Sequence, residues 1–389
     1  MSYILSNDNR FYVTLEQSYG VAAAVAAGNR IAAVKLTTKQ RTEKVQRKDK
    51  TGSRTFAGNP SGLRKDTSFV LKTYMTSWTD QTQLPAHGPL VQACLGGAPQ
   101  TAPVLSVASC PSPSQLAFST PHGLAPGQAV TTGGEIRFLS AIVDSQTIQL
   151  NAPLSSTPSS GAPTGPTATY CPAKDLASVT IFDYWSPGTS VQRLLAGAAL
   201  DKLTVKVNGD FHEFEFAGQA RDLLDSSSFE SGQCGLSSYP SEPDVDAINY
   251  SIIPGHLGQV WLGSAPDRFL TLTGAEFTFQ NNLDLRSKEF GTDLPSAISP
   301  GLRAVNLNFS LYQQDDASTA ALYQAARQRS PISMMIQLGQ QQGQLFGIYM
   351  KSVVPEVPDF DDTEKRQQWQ FQNCRAQGGT DDEVFLAFG

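Results

Sequence analysis

One string of residues recurs in this chain roughly 240 positions after its first appearance. The first copy runs Asn29-Arg30-Ile31-Ala32, Gly62-Leu63-Arg64, Phe69-Val70-Leu71 and Pro89-Leu90. The second runs Asp267-Arg268-Phe269-Leu270, Gly301-Leu302-Arg303, Phe309-Ser310-Leu311 and Pro331-Ile332. The offset drifts from 238 to 242, as a few loop insertions produce. Both copies are strand-like, so the recurrence predicts a β-unit built twice, in a protein that constructs something by repetition.

Charged residues make up only 16% of the chain, below the roughly one quarter of ordinary domains. With 32 Gly and 24 Pro and β-branched residues throughout, many short strands are expected in place of long helices. No apolar run approaches the ~20 residues needed to span a bilayer as a helix. The start, Met1-Ser2-Tyr3-Ile4-Leu5-Ser6, lacks the basic opening and apolar stretch of a signal peptide, so a soluble, cytoplasmically made chain is expected. Cys94, Cys110, Cys171, Cys234 and Cys374 are scattered and read as reduced, structural thiols.

Charge is unevenly placed. Residues 35–72 hold eleven Lys or Arg against three acids, a local +8 in a chain of net charge −6. The densest part, with Arg41, Lys44, Arg47, Lys48, Lys50 and Arg54, is polar and lies between two strand patterns. From Glu356 onward eight acids face three bases, with Asp359, Asp361, Asp362, Glu364, Asp381, Asp382 and Glu383 among them. A basic arm on an acidic body suits docking onto a neighbouring acidic subunit; a solvated loop and direct nucleic-acid binding are the alternatives. Single-strand binding needs interleaved aromatics, and Phe56 alone lies between Arg41 and Arg64.

Along the chain, residues 10–39 read as strand, turn, strand, and 40–65 as a long loop of a length that is usually functional. Residues 101–168 carry only Glu135, Arg137 and Asp144 as charges and contain Gln115-Leu116-Ala117-Phe118 and Thr147-Ile148-Gln149-Leu150. They read as a small all-β module set into a loop, with His122 of Pro121-His122-Gly123-Leu124 as a turn residue; the segment resembles small β-barrel modules with such a turn. Leu203 to Phe216 reads as a hairpin about a type I′ Asn208-Gly209 turn. Trp369-Gln370-Phe371 matches Phe214-Glu215-Phe216 as the related ending of the second repeat. One helix is expected from Asp315-Asp316 to Arg329, stopped by Pro331. The organisation expected is residues 1–100 with 169–240, the insertion 101–168, and a second unit over 241–389.

Phosphate loops, His-Glu-x-x-His, nucleophile elbows and Cys-x-x-Cys pairs are all missing from the sequence. The acidic runs 359–364 and 381–383 lack the spaced ligands of a Ca²⁺ loop. A non-enzymatic chain without cofactor or metal is expected.

Several stretches together resemble the tail tube (major tail) proteins of long, non-contractile-tailed bacteriophages. They are Gly62-Leu63-Arg64-Lys65-Asp66-Thr67-Ser68-Phe69, and Leu194-Leu195-Ala196-Gly197-Ala198-Ala199-Leu200-Asp201 with the following Leu203-Thr204-Val205. The linker Gly235-Leu236-Ser237-Ser238-Tyr239-Pro240-Ser241-Glu242-Pro243 and the ending Asp381-Asp382-Glu383-Val384-Phe385-Leu386-Ala387-Phe388-Gly389 complete the likeness. The resemblance implies an all-β fold: two tandem β-sandwich or half-barrel domains with one short helix each at most, plus the inserted β module. It implies stacked rings of six tube domains, hence three copies of a duplicated chain, around a lumen for DNA and a tape measure protein. Terminator and baseplate proteins meet the tube ends, in a virion assembled in the bacterial cytoplasm. On this reading the basic loop stacks on the acidic regions, the insertion sits outside, and an acidic wall lets DNA slide. The rival readings are a tail terminator or baseplate hub, a surface-binding adhesin, and, furthest off, a hydrolase.

Overall fold

The computed structural model describes residues 3–43, 48–56, 58, 63–244, 250–363 and 365–389. Lys44, Arg47 and Glu364 of the expected stacking surfaces lie outside the described residues. The chain is mostly β, 45% strand against 7% helix, with curled half-barrel sheets, as the sequence led one to expect.

The first half contributes β1 (Asn9–Leu15), β2 (Arg30–Ile31), β3 (Ala33–Thr42), β4 (Lys65–Tyr74) and α1 (Gly88–Leu95). After β5 (Gln100–Ala102) comes the inserted stretch with β6 (Val107–Ser112), β7 (Gln115–Phe118), β8 (Ala129–Thr132), β9 (Glu135–Ile142) and β10 (Thr147–Leu150). Then follow β11 (Thr167–Tyr170), β12 (Val179–Trp185), β13 (Arg193–Val207), β14 (Glu213–Ala220) and β15 (Asp222–Asp225). The second half contributes β16 (Gly258–Gly263), β17 (Asp267–Arg268), β18 (Leu272–Gln280), β19 (Asp284–Leu285), β20 (Ile298–Ser299), β21 (Ala304–Tyr312) and α2 (Ala317–Gln328). It closes with β22 (Ile332–Leu338), β23 (Phe346–Val354), β24 (Asp359–Asp361), β25 (Gln368–Ala376) and β26 (Phe385–Phe388).

Each half folds into two sheets around apolar inward faces, with a pairing order that is the same in both. In the first, β3–β4–β14–β13 form one sheet and β2–β1–β12–β13–β15 the other. In the second, β18–β21–β25–β24 correspond to the one, and β17–β16–β22–β23–β26 to the other. The fifteen-residue β13 serves both sheets of its sandwich; in the second sandwich the same path is divided between β23 and β24, with Pro355 and Pro358 between them. Proline lacks the N–H of a ladder and breaks a strand there.

β-Bulges recur at matching places, and they fix the equivalence. The β12–β13 ladder shifts between Val179 and Ile181, and β22–β23 between Ile332 and Met334. The β3–β4 ladder shifts between Ala33 and Lys35, and β18–β21 between Leu272 and Gly274. Aligned on the bulges, Arg30 matches Arg268, Phe214 matches Trp369 and Phe216 matches Phe371.

Two sequence matches are thereby corrected. Leu71 is equivalent to Phe309, because Leu71 faces Phe216 and Phe309 faces Phe371. The Phe69/Phe309 match is thus one pleat out, an error that preserves the inward face and so is invisible to hydrophobic pattern. Pro89-Leu90 is not strand-like: it opens α1, where proline's missing N–H costs nothing, while Pro331 precedes β22. The Asn208-Gly209 turn is also longer than a type I′ hairpin. Five residues, 208–212, join β13 to β14, and of that pair Asn208 alone takes the left-handed conformation (φ 66°).

The expected helix is α2. Asp316 caps it by accepting from the Thr319 N–H at 2.7 Å, and Arg329 ends it in the left-handed region. Leu322 and Ala326 enter the core. Asp316→Ala is expected to cost ~1 kcal/mol, read as a lower urea midpoint at unchanged slope.

Candidate assembly edges and covered faces

In the second sheet of each sandwich, one face meets the sandwich's own core and the other would be left bare. Both bare faces are covered, by different means. In the first sandwich Tyr12, Phe182, Leu194 and Leu224 are capped by Ala22 and Val25 and by Phe229, Leu236 and Tyr239 of the segment after β15. Arg10 is ion-paired with Glu242, and the Tyr12 hydroxyl donates to the Glu242 carboxylate at 3.0 Å, so the same strand holds this cover down. In the second sandwich the equivalent Trp261, Met335 and Tyr349 are capped by Ala129, Ile136, Phe138 and Ala152 of the inserted segment.

The insertion is therefore packed onto the second sandwich. Its five strands form a sheet with their own core, Val107, Leu116, Phe118, Val130, Leu139, Ile148 and Leu150 among it. β11 and β5 add themselves to β26, extending the second sandwich's sheet. Two of the three charges that make residues 101–168 so unusual are buried at this contact. The Arg137 guanidinium has no exposed side-chain surface; it donates to Glu135 at 3.0 Å, Gln337 at 3.0 Å, Gln259 at 3.2 Å and the carbonyls of Pro153 and Ile136. Its charge lies 5.1 Å from the Trp261 ring centre. Glu135 also accepts from the Ser155 N–H and hydroxyl at 2.8 and 2.7 Å. Burial raises the Glu135 pKa, but Arg137 and the Ser155 bonds outweigh it and hold it below the ordinary 4.5. Burial pulls Arg137 down to about 10, which leaves it charged at neutral pH.

A second buried carboxylate organises the first sandwich. Glu16 accepts from the N–H groups of Gly20 and Gly197 at 2.8 and 2.7 Å and from the Ser178 and Thr180 hydroxyls at 2.6 and 2.8 Å. Gly197 has φ 63°, and a Cβ there would sit 2.7 Å from Cβ of Arg221, so only glycine fits.

His122 sits in a turn: its Nδ1 accepts from the Leu124 N–H at 2.9 Å, and Nε2 lies 3.1 Å from the Asp144 carbonyl. Among the described residues no cluster of His, Cys, Asp or Glu has the arrangement of a metal site. The polar hollow by Trp78, Gln81, Tyr250 and Gln342 has a volume of ~530 Å³ and is lined further by Ser77, Thr79 and Ser251, with no His, Cys, Lys or carboxylate among its described lining residues.

The two sandwiches join edge to edge. The C-terminal half of β13 pairs antiparallel with β18, from Lys202↔Gln280 to Val207↔Ala275. One sheet thus runs β3–β4–β14–β13–β18–β21–β25–β24 through both halves. Its uncovered face is polar and of mixed sign. Lys206 stands between Glu213 and Glu276, and Lys72 pairs with Glu215 at 2.8 Å. Among the described residues, the outer edges of β3 and β24 have no strand partner.

The expected stacking residues fall in different places. Arg41 is on β3, exposed, opposite Asp66. Lys48, Lys50 and Arg54 are exposed in the loop after it. That loop's base touches the second sandwich: the Arg64 guanidinium donates to the Glu289 carbonyl at 3.3 Å and Lys65 N–H to the Asp293 carbonyl at 2.9 Å. The acidic residues are less uniform than their sequence. Asp381 and Glu383 pair with Arg303, and Asp382 with Lys351, within the chain. Glu356 meets Arg329 at 3.3 Å. Asp361 is held below its ordinary pKa by the Thr363 hydroxyl and N–H, then by Gln370. Asp359 and Asp362 are exposed and form no ion pair with a described residue.

No family model and no curated protein matches the chain. Among solved structures it is similar to the tube-terminating cap of an anti-feeding prophage, with 19% identity, over 37% of this chain and 95% of that one. The TM-score is 0.26, a likeness too slight to carry an argument about fold or role. The fold defines a class on its own account: a duplicated, edge-joined β-sandwich protein whose long sheet ends, among the described residues, in two open edges.

Proposed function

We propose that this chain is a structural component of a bacteriophage tail, closing three to a ring and stacking into the tail tube that conducts DNA. The observation that carries the reading is the β13–β18 junction, where two equivalent sandwiches sit head to tail in one continuous sheet. A head-to-tail contact is heterologous and repeats until it closes a ring or runs on as a helix. Closure also removes both open edges, which otherwise invite aggregation. Six sandwiches per ring, as the sequence resemblance implies, need three chains.

The uncovered face of the long sheet lines the bore in this account. With Lys72, Lys206, Glu213, Glu215 and Glu276 on it, the wall is of mixed sign and not the acidic surface expected from net charge. Along the middle of the face lie Thr, Asn and Gln, such as Thr278, Asn306 and Gln370, which offer phosphate no positive charge, while Lys35, Lys39 and Arg41 gather at the β3 edge.

Electron microscopy of the purified protein tests the reading: tubes are expected, and rings that never stack, or monomers, contradict it. The basic loop supplies ring-to-ring contact, as a further part of the proposal. Lys48→Glu, Lys50→Glu and Arg54→Glu together are expected to leave folded rings and abolish tubes. Tubes of unchanged length from that triple variant would remove the loop from the account.

A further inference from the structure

The internal junction is a template for a contact that no single copy of the chain contains. We propose that β24 of one chain pairs antiparallel with β3 of a second copy, in the register that sets Asp359 opposite Lys39. The proposal rests on the ring-forming reading above and specifies its closing contact.

The register follows from the equivalences already established. β24 occupies in the second sandwich the place of the C-terminal half of β13: Asp359, Phe360 and Asp361 face Gln370, Trp369 and Gln368 as Thr204, Val205 and Lys206 face Glu215, Phe214 and Glu213. β3 occupies in the first sandwich the place of β18, with its bulge at the same point. In the internal junction Thr204 faces Thr278 and Val205 faces Phe277. Carrying both strands over sets Asp359 against Lys39 and Phe360 against Thr38.

Three independent features of these edges fit that pairing. Lys39 and Asp359 are exposed and lie on the same, uncovered face, so directly opposed they stand close enough for an ion pair. The internal junction likewise sets opposite charges across from one another, at Lys206 and Glu276. Phe360 is 56% exposed although it stacks on Tyr323 and lies tilted against Trp369, and its equivalent Val205 is buried beneath β18. Leu36 and Thr38 of an incoming β3 lie on the face that meets it.

The charges also select against wrong partners. Two β3 edges bring Lys35, Lys39 and Arg41 together, and two β24 edges bring Asp359, Asp361 and Asp362 together. Like charges opposed in a ladder are unfavourable, so each edge rejects its own kind and accepts the other.

A zero-length carbodiimide coupling of the unmodified, assembled protein reads the register, using a mixture of ¹⁴N- and ¹⁵N-labelled chains to mark inter-chain links. The expected product is an isotopically mixed peptide joining Lys39 to Asp359, lost in Lys39→Ala. As a second reading, Thr38→Cys with Phe360→Cys is expected to form a covalent three-chain product on oxidation, and Lys35→Cys with Asp359→Cys is not. Assembly in which Lys39 couples elsewhere, and in which the second cysteine pair closes in place of the first, overturns the register but not the ring. A protein that stays monomeric at all concentrations overturns the ring-forming reading itself.

Discussion

Arg137→Ala is expected to lower the stability of the folded chain by about 3–5 kcal/mol, far more than an ordinary surface change. The guanidinium ties Glu135 on its own strand to Gln337 and Gln259 of the second sandwich, and it does so with no exposed surface. Removing it leaves the Glu135 carboxylate buried without its cation, and the Pro153 and Ile136 carbonyls lose a donor. The cost lies in the stranded partners, so removing both charges is expected to be milder. Glu135→Leu with Arg137→Met is expected to recover a large part of the loss, as buried pairs replaced by apolar groups often do. Urea unfolding of the two variants checks this; equal losses would show that the ion pair is not what holds the contact.

The same contact fixes a pH dependence. Glu135 has a folded pKa below its ordinary 4.5, so its contribution is fully present above that value. It is lost as pH falls from about 4.5 through the lower, folded pKa. Stability of the parent is expected to fall across that acid range more steeply than that of the double variant, which lacks the group.

Glu16→Ala is the second large effect, about 3 kcal/mol. Two of its four donors are hydroxyls that can turn to other acceptors, but the Gly20 and Gly197 N–H groups are fixed by the backbone. Each buried N–H left unpaired costs about 1–3 kcal/mol. Glu16→Gln keeps one oxygen and so is expected to lose less. Thermal melts give the order parent, Gln, Ala; a Gln variant as poor as Ala would mean that the charge matters and not the acceptors.

Much of the architecture was legible in the sequence because duplication repeats backbone demands as well as side chains. The Arg30 and Arg268 stretches are equivalent in the fold as they are in the sequence, and so are the Phe214 and Trp369 endings, since each lies beside a fixed turn or bulge. The one-pleat error at Phe69 arose because a two-residue slip leaves the pattern of inward residues intact. Pro89 misled because proline opens helices and ends strands alike, and α1 is too short and too apolar throughout to show a helical stripe. The inserted segment announced itself by its missing charges, yet its role did not. That Glu135 and Arg137 meet Gln259 and Gln337 depends on contacts between residues more than 100 positions apart, which no local pattern encodes.

The acidic surface shows the same limit. In sequence Asp381, Asp382 and Glu383 look like Asp359 and Asp362, but the first three are taken by Arg303 and Lys351 across the fold. What distinguishes Asp359 is its place on an open edge equivalent to one that is closed within the chain. The recurring bulges were needed to see that equivalence.

The central claim is that two unlike sandwiches per chain, joined head to tail, make a ring from three chains. A cryo-electron-microscopic reconstruction of the assembled particle tests it most directly. The account predicts six sandwiches around each ring with true threefold symmetry, an inserted segment on every second sandwich, and β24 meeting β3 between chains. Rings of six chains, or sandwiches meeting through any other edge, would contradict it.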